Sequence, residues 1–141
     1  MKTLLRLTLL ACTLGLALPA SADDALYRAL GAQQGLAKLM DDLMPRLLSD
    51  PRLAPYFKDV NQEHLKAELA TQFCEVSGGP CKRRGPDMKR VHEGFDIDRA
   101  SFNALVEVLQ QAMDAQGIAY ADQNRLLAQL APMHRDIVNV K

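Results

Sequence analysis

The sequence predicts an all-α domain, and three observations carry that prediction. From Leu26 onward the apolar residues recur at three- and four-residue steps, and no run alternates for long enough to make a strand. Asn, Asp, Gly and Pro stand where those periodic runs begin and stop. A chain of 141 residues with 48% hydrophobic content is long enough for a single core. One domain is expected over residues 23–141, behind a leader over residues 1–22.

The leader reading rests on Lys2 and Arg6, the apolar run "LTLLACTLGLAL" and then "PASA", which places Ala20 and Ala22 in the A-x-A pattern of a signal-peptidase site. Cleavage is expected after Ala22. The apolar run is too short to cross a bilayer core of about 30 Å, which needs roughly 20 residues. A lipoprotein signal ending at Cys12 is the alternative, although the chain stays apolar beyond Cys12 instead of turning polar. Export would place the protein in the periplasm or outside the cell, free of the membrane. Removing Lys2 and Arg6 leaves 15 basic against 17 acidic residues, a net charge of −2 that gives no electrostatic case for nucleic acid or anionic lipid. It also leaves an even pair of cysteines, Cys74 and Cys81, in an oxidising compartment, where a disulfide is the default.

The elements follow in order. A first long helix carries Leu36, Leu39, Met40, Leu43, Met44 and Leu47 on one face and ends at "SDPRLAP". Pro45 inside it deletes a backbone hydrogen bond and should kink the axis. Asn61 caps a second helix with Leu65, Leu69, Phe73 and Val76 on one stripe, stopped by "SGGP". Pro86 suits the first turn of a short helix that contains Met88 and His92 and gives way at Gly94. Asp98 caps a third long helix that turns Phe102, Leu105, Val106, Leu109, Ala112 and Met113 inward and ends at Gly117. The last helix is expected from about Asp122, with Leu126, Leu127, Leu130 and Ile137 on one face and Pro132 in its interior. Four substantial helices and a few short ones make the architecture.

In an unbroken helix Cys74 and Cys81 would stand about 10 Å apart, beyond the roughly 7 Å a disulfide spans between Cα atoms. The Gly78-Gly79-Pro80 break folds the chain back and lets them meet. The pair fits neither C-x-x-C-H haem attachment nor a C-x-x-C redox centre. A structural bond and a regulatory one both remain open.

His92 alone is weak, because a single histidine on a short helix is commonly structural. Met88 one turn earlier, Phe57 after "DPRLAPY" and the apolar stripe between them add surfaces that suit a large, flat, apolar cofactor. "LYRALG" at 26–31, "DPRLAPYF" at 50–57, "GGP" at 78–80, "GPDMKRVHEGFDI" at 85–97 and "LAPMHRDIV" at 130–138 together resemble a group I truncated haemoglobin, in order and over nearly the whole mature chain. The resemblance implies a two-over-two helical sandwich around haem b (iron protoporphyrin IX). It implies His92 as the iron ligand, Phe57 as the aromatic wedged against haem, and Met88 and Leu105 among the contacts. Diatomic gases, O2, CO or NO, are the implied ligands, with a reductant that the sequence does not name.

Members of that family usually carry a tyrosine late in the first long helix and a glutamine on the next. Those positions fall on Met44 and Leu69, with Leu65 and Phe73 completing an apolar face. A hydrogen-bond donor to a bound ligand is worth on the order of 1–3 kcal/mol, so its loss implies O2 release faster by one or two powers of ten. That argues against high-affinity O2 storage and against NO-dioxygenase activity that needs a lasting oxy complex; O2 transport, sensing or NO chemistry are the implied roles, and NO-dioxygenase or peroxidase-like haem chemistry is the kind expected of an enzyme here. Met44 either fills the pocket or supplies a sixth ligand through sulfur. Within "KRRGPDMKR", Arg83 is the expected partner of a haem propionate. His134 either lies exposed or bonds to haem covalently, as in some relatives, and His64 is expected to face solvent. Two alternatives to gas binding stand: a six-coordinate His92/Met44 electron carrier, and a haem-free copper binder using Met and His side chains.

Overall fold

The computed structural model describes residues 24–140, so the leader with its Ala22 cleavage site and Cys12 lies outside the described residues. Its helices are α1 (Ala25–Ala29), α2 (Ala32–Ser49), α3 (Ala54–Phe57), α4 (Gln62–Val76), α5 (Met88–Val91), α6 (Arg99–Ala115), α7 (Tyr120–Leu130) and α8 (His134–Ile137), with a 3-10 turn at Ala131–Met133 before α8. There is no strand among the described residues, and none of their helices is long and apolar enough to cross a membrane.

Helix α2 is the axis of the molecule. Leu36, Leu39, Met40, Leu43, Met44 and Leu47, the stripe its spacing implies, are all buried, and each apolar side chain so buried stabilises by roughly 1.5–3 kcal/mol. Against that stripe pack α4 and α6, and α7 closes against both of these, so one pair, α2 with α4, lies over a second, α6 with α7. Side-chain caps fix where the helices start. Asn61 accepts from the His64 amide, Asp87 from that of Arg90 and Asp98 from that of Ser101. Buried Gln123 locks the α6–α7 corner by donating to the Ile118 carbonyl and to the Asp114 carboxylate.

Two boundaries differ from expectation. Helix α5 begins at Met88 under the Asp87 cap, which leaves Pro86 ahead of the helix and His92 at its C-terminal end. The last helix starts at Tyr120 and does not run through Pro132: proline, lacking an N–H, sits in the 3-10 turn that divides α7 from α8. Cys74 and Cys81 are joined in a disulfide, with Cα atoms 5.7 Å apart.

Candidate functional site

Between the two helix pairs lies a cavity of about 640 Å3. Leu65, Leu69 and Phe73 of α4 form one wall, with Leu43 and Leu47 of α2 behind them. Phe102, Leu105, Val106 and Leu109 of α6 form the floor, and Leu127, Leu130, Met133 and Ile137 close the inner end. Phe57 and Val60 stand at one side, and Met88, Val91 and His92 face α4 across the gap. A side chamber of about 200 Å3 continues past Phe57 and His92 towards Leu53, Phe95 and Ile97.

His92 is held at both its ring and its backbone. The ring Nδ1 lies 2.7 Å from the Met88 carbonyl oxygen, which can only accept, so Nδ1 carries the proton and donates. In the neutral ring, Nε2 then keeps its lone pair as a potential metal donor. The His92 carbonyl accepts from Asn139 Nδ2 at 2.8 Å, and Asn139 Oδ1 in turn accepts from the Ile97 amide at 2.7 Å. Asn139 thus clamps the 92–97 loop from the far end of the chain.

Of the residues singled out from sequence, Phe57, Leu65, Leu69, Phe73, Arg83, Met88, His92 and Leu105 all line the cavity. Met44 does not. It is 3% exposed, within the core, and the cavity wall is made by Leu43 and Leu47. The lining therefore lends no support to the sixth-ligand role considered for it. His134 also stands off the cavity lining, half-buried, with its ring edge-on to Phe102 at a centroid distance of 4.9 Å. His64, expected to face solvent, is exposed and at the same time on the cavity rim, beside Asn61 and Glu68.

Gln72 of the lining escaped sequence reading. Gln72 is a polar group between the apolar residues Leu69 and Phe73 of the wall, and its Nε2 donates to Met133 Sδ at 3.0 Å and Met88 Sδ at 3.8 Å, both weak acceptors. Its place one turn after Glu68 was legible, but its aim was not. Arg84, one of the run of cations that the sequence places near the cofactor, also lines the cavity. The Arg83 guanidinium donates to the Pro86 carbonyl and its amide to Glu75, and Lys82 pairs with Glu75 at 3.5 Å. Arg84 forms no ion pair with a described residue and stands exposed at the cavity mouth.

This donor set suits haem: apolar walls for a flat macrocycle, an imidazole whose Nδ1 is engaged by the Met88 carbonyl so that Nε2 is left for a metal, and arginines in the lining that could pair with carboxylates. A family model described as bacterial-like globin matches residues 25–139. A group 1 truncated haemoglobin from Mycolicibacterium paratuberculosis is 29% identical over 113 residues, which cover 80% of this chain and 83% of that one. Another from a Nostoc species is 26% identical over 116 residues, covering 82% and 98%. Among solved structures, truncated haemoglobin from Tetrahymena pyriformis in its Fe(III) form superposes with a TM-score of 0.78 at 21% identity, covering 81% of this chain and 97% of that one. A Synechococcus 2/2 haemoglobin with covalently attached haem superposes with a TM-score of 0.75 at 18% identity, covering 81% and 98%.

Proposed function

The chain belongs to the bacterial-like globin family, and from that premise we propose that it holds haem b through His92 and binds a diatomic gas, O2, CO or NO, on the face opposite His92. The single observation that carries this reading is the His92 ring, which lines the cavity with its Nδ1–H donated to the Met88 carbonyl. Haem, when bound, supplies an iron centre that takes the gas. The remaining work belongs to the protein.

Met88 and Asn139 fix the orientation and tautomer of His92. Leu65, Leu69 and Phe73 exclude water from the opposite wall and offer a ligand no hydrogen bond, which favours rapid exchange over storage. Arg84, without an ion-pair partner among the described residues, is placed to pair with a propionate, with Arg83 beside it held by Pro86. The His92/Met44 electron-carrier reading gains no support, because Met44 is not among the residues lining the cavity. Export through a signal peptide cleaved after Ala22 remains part of the proposal. It places the gas-binding domain in the periplasm or outside the cell and requires a reductant from that compartment.

The test is visible absorption of the chain from Asp23 onward, loaded with haem, in ferric, ferrous and ferrous-CO forms, beside His92→Ala. A five-coordinate ferrous spectrum and a CO complex that His92→Ala loses or alters are expected. A six-coordinate ferrous state that resists CO, or a variant indistinguishable from the parent, would overturn the assignment.

A further inference from the structure

We propose that the Cys74–Cys81 disulfide is a redox clasp on the cofactor cavity: its reduction frees the segment of residues 81–87 that forms the cavity mouth, and cofactor is lost faster. The proposal rests on the haem reading and adds its regulation.

The argument begins with what holds that segment. Arg83, Arg84 and Pro86 line the cavity, and the chain runs on from them into α5 and His92. Its attachments to α4 converge on two adjacent residues of the last turn, Cys74 and Glu75. Cys74 gives the covalent bond to Cys81. Glu75 accepts from the Arg83 amide at 3.0 Å and pairs with Lys82 at 3.5 Å. That carboxylate is part-exposed and the lysine is well exposed, so the ion pair contributes little. The contact from the Arg83 guanidinium to the Pro86 carbonyl is internal to the segment and anchors nothing.

The turn between the cysteines is shaped around the bond. A Cβ on Gly79 would lie 2.6 Å from Cys74 Sγ and 2.7 Å from Tyr27 Cδ2, so only glycine lets the chain return this closely. At its other end the mouth is held independently, because the His92 carbonyl is bonded by Asn139 and α5 packs on α8. Breaking the disulfide therefore loosens the mouth while His92 keeps its anchor. Cofactor would still bind, but would leave more readily.

The bond is accessible from one side. Cys74 is 2% exposed, whereas Cys81 is half-buried. A dithiol reductant attacks Cys81 Sγ as its thiolate, forming a mixed disulfide and releasing Cys74 as a thiolate that takes up a proton. The second sulfur of the reductant then displaces Cys81, which leaves as a thiol. Two electrons and two protons pass to the protein, and the reductant ends as a disulfide. An oxidising compartment keeps the clasp shut; a reducing one opens it.

Two measurements on the full mature chain test this, each made oxidised and after dithiothreitol, beside Cys74→Ala/Cys81→Ser. In the first, ferric haem-loaded protein is mixed with excess apomyoglobin and haem transfer is followed by absorbance. Transfer from the parent should accelerate about tenfold on reduction, with the double variant fast under both conditions. The second is limited trypsin digestion of the chain as purified, which needs no haem. Reduction should expose cleavage after Lys82, Arg83 and Arg84 ahead of all other sites. Equal haem transfer, equal cleavage in the two states, or cleavage spread evenly over the chain on reduction would each overturn the clasp. Absence of haem uptake by the oxidised protein would remove the haem reading and the clasp built on it.

Discussion

Leu69, midway along α4 on the cavity wall, sits where a hydrogen-bond donor would meet a ligand opposite His92. Leu69→Gln would supply such a donor, and O2 dissociation from the ferrous protein should slow by about one to two powers of ten, measured by stopped-flow displacement with CO. An unchanged rate would mean that the ligand binds out of reach of this position. The mouth offers a second comparison at single residues. Arg84→Gln should speed haem transfer to apomyoglobin severalfold, whereas Arg83→Gln should change it less, because the Arg83 guanidinium is engaged by Pro86. Sequence alone pointed to Arg83 within a run of cations. Nothing in the order "KRR" reveals which guanidinium will be captured by a carbonyl three residues on, whereas Arg84 at the mouth pairs with no carboxylate among the described residues.

Among the elements, helix starts were well marked in the sequence, because a cap is a local interaction. Asn61 and Asp98 each accept from the amide three residues ahead, as their positions implied. The Asp98 carboxyl is held below its ordinary range, chiefly by the hydrogen bond from the Ser101 amide. A depressed folded value contributes stability that is present above the unfolded value of about 3.9 and is lost as pH falls through the folded one. The difference in thermal midpoint between the parent and Asp98→Ala should therefore be constant near neutrality and shrink below about pH 4. Helix α2 carries a tighter constraint at its start. A Cβ on Gly35 would lie 2.1 Å from the Leu30 carbonyl oxygen, backbone against backbone, with nothing flexible to yield. Gly35→Ala should destabilise by about 3 kcal/mol or more, read from the midpoint of urea unfolding with an unchanged slope. The end of the chain was less legible. Apolar spacing continues through Pro132 to Ile137, but the missing amide forces a 3-10 turn there, and the same face is delivered by α7 and α8 in two pieces.

For the whole molecule, periodicity and punctuation determined the all-α class, the four long helices and their inward faces, because each is a local or one-dimensional property of the chain. The seven-residue spacing from Cys74 through the Gly-Gly-Pro break to Cys81 likewise made the disulfide readable in advance. Even most of the cavity lining followed from helix faces and from the family likeness. What only the tertiary structure decided is which neighbour on a crowded face reaches the cavity. Met44 and Leu43 are adjacent in sequence and both buried, yet the packing of α2 against α4 and α6 turns Leu43 to the cavity and Met44 into the core. Gln72 and Asn139 show the same limit. One is aimed at sulfurs of α5 and of the turn after α7, and the other clasps a loop 47 residues earlier. Such contacts depend on how separate helices are set against one another in three dimensions. No spacing along the chain encodes that, and it is packing that turns a set of amphipathic helices into a site with one histidine aimed inward.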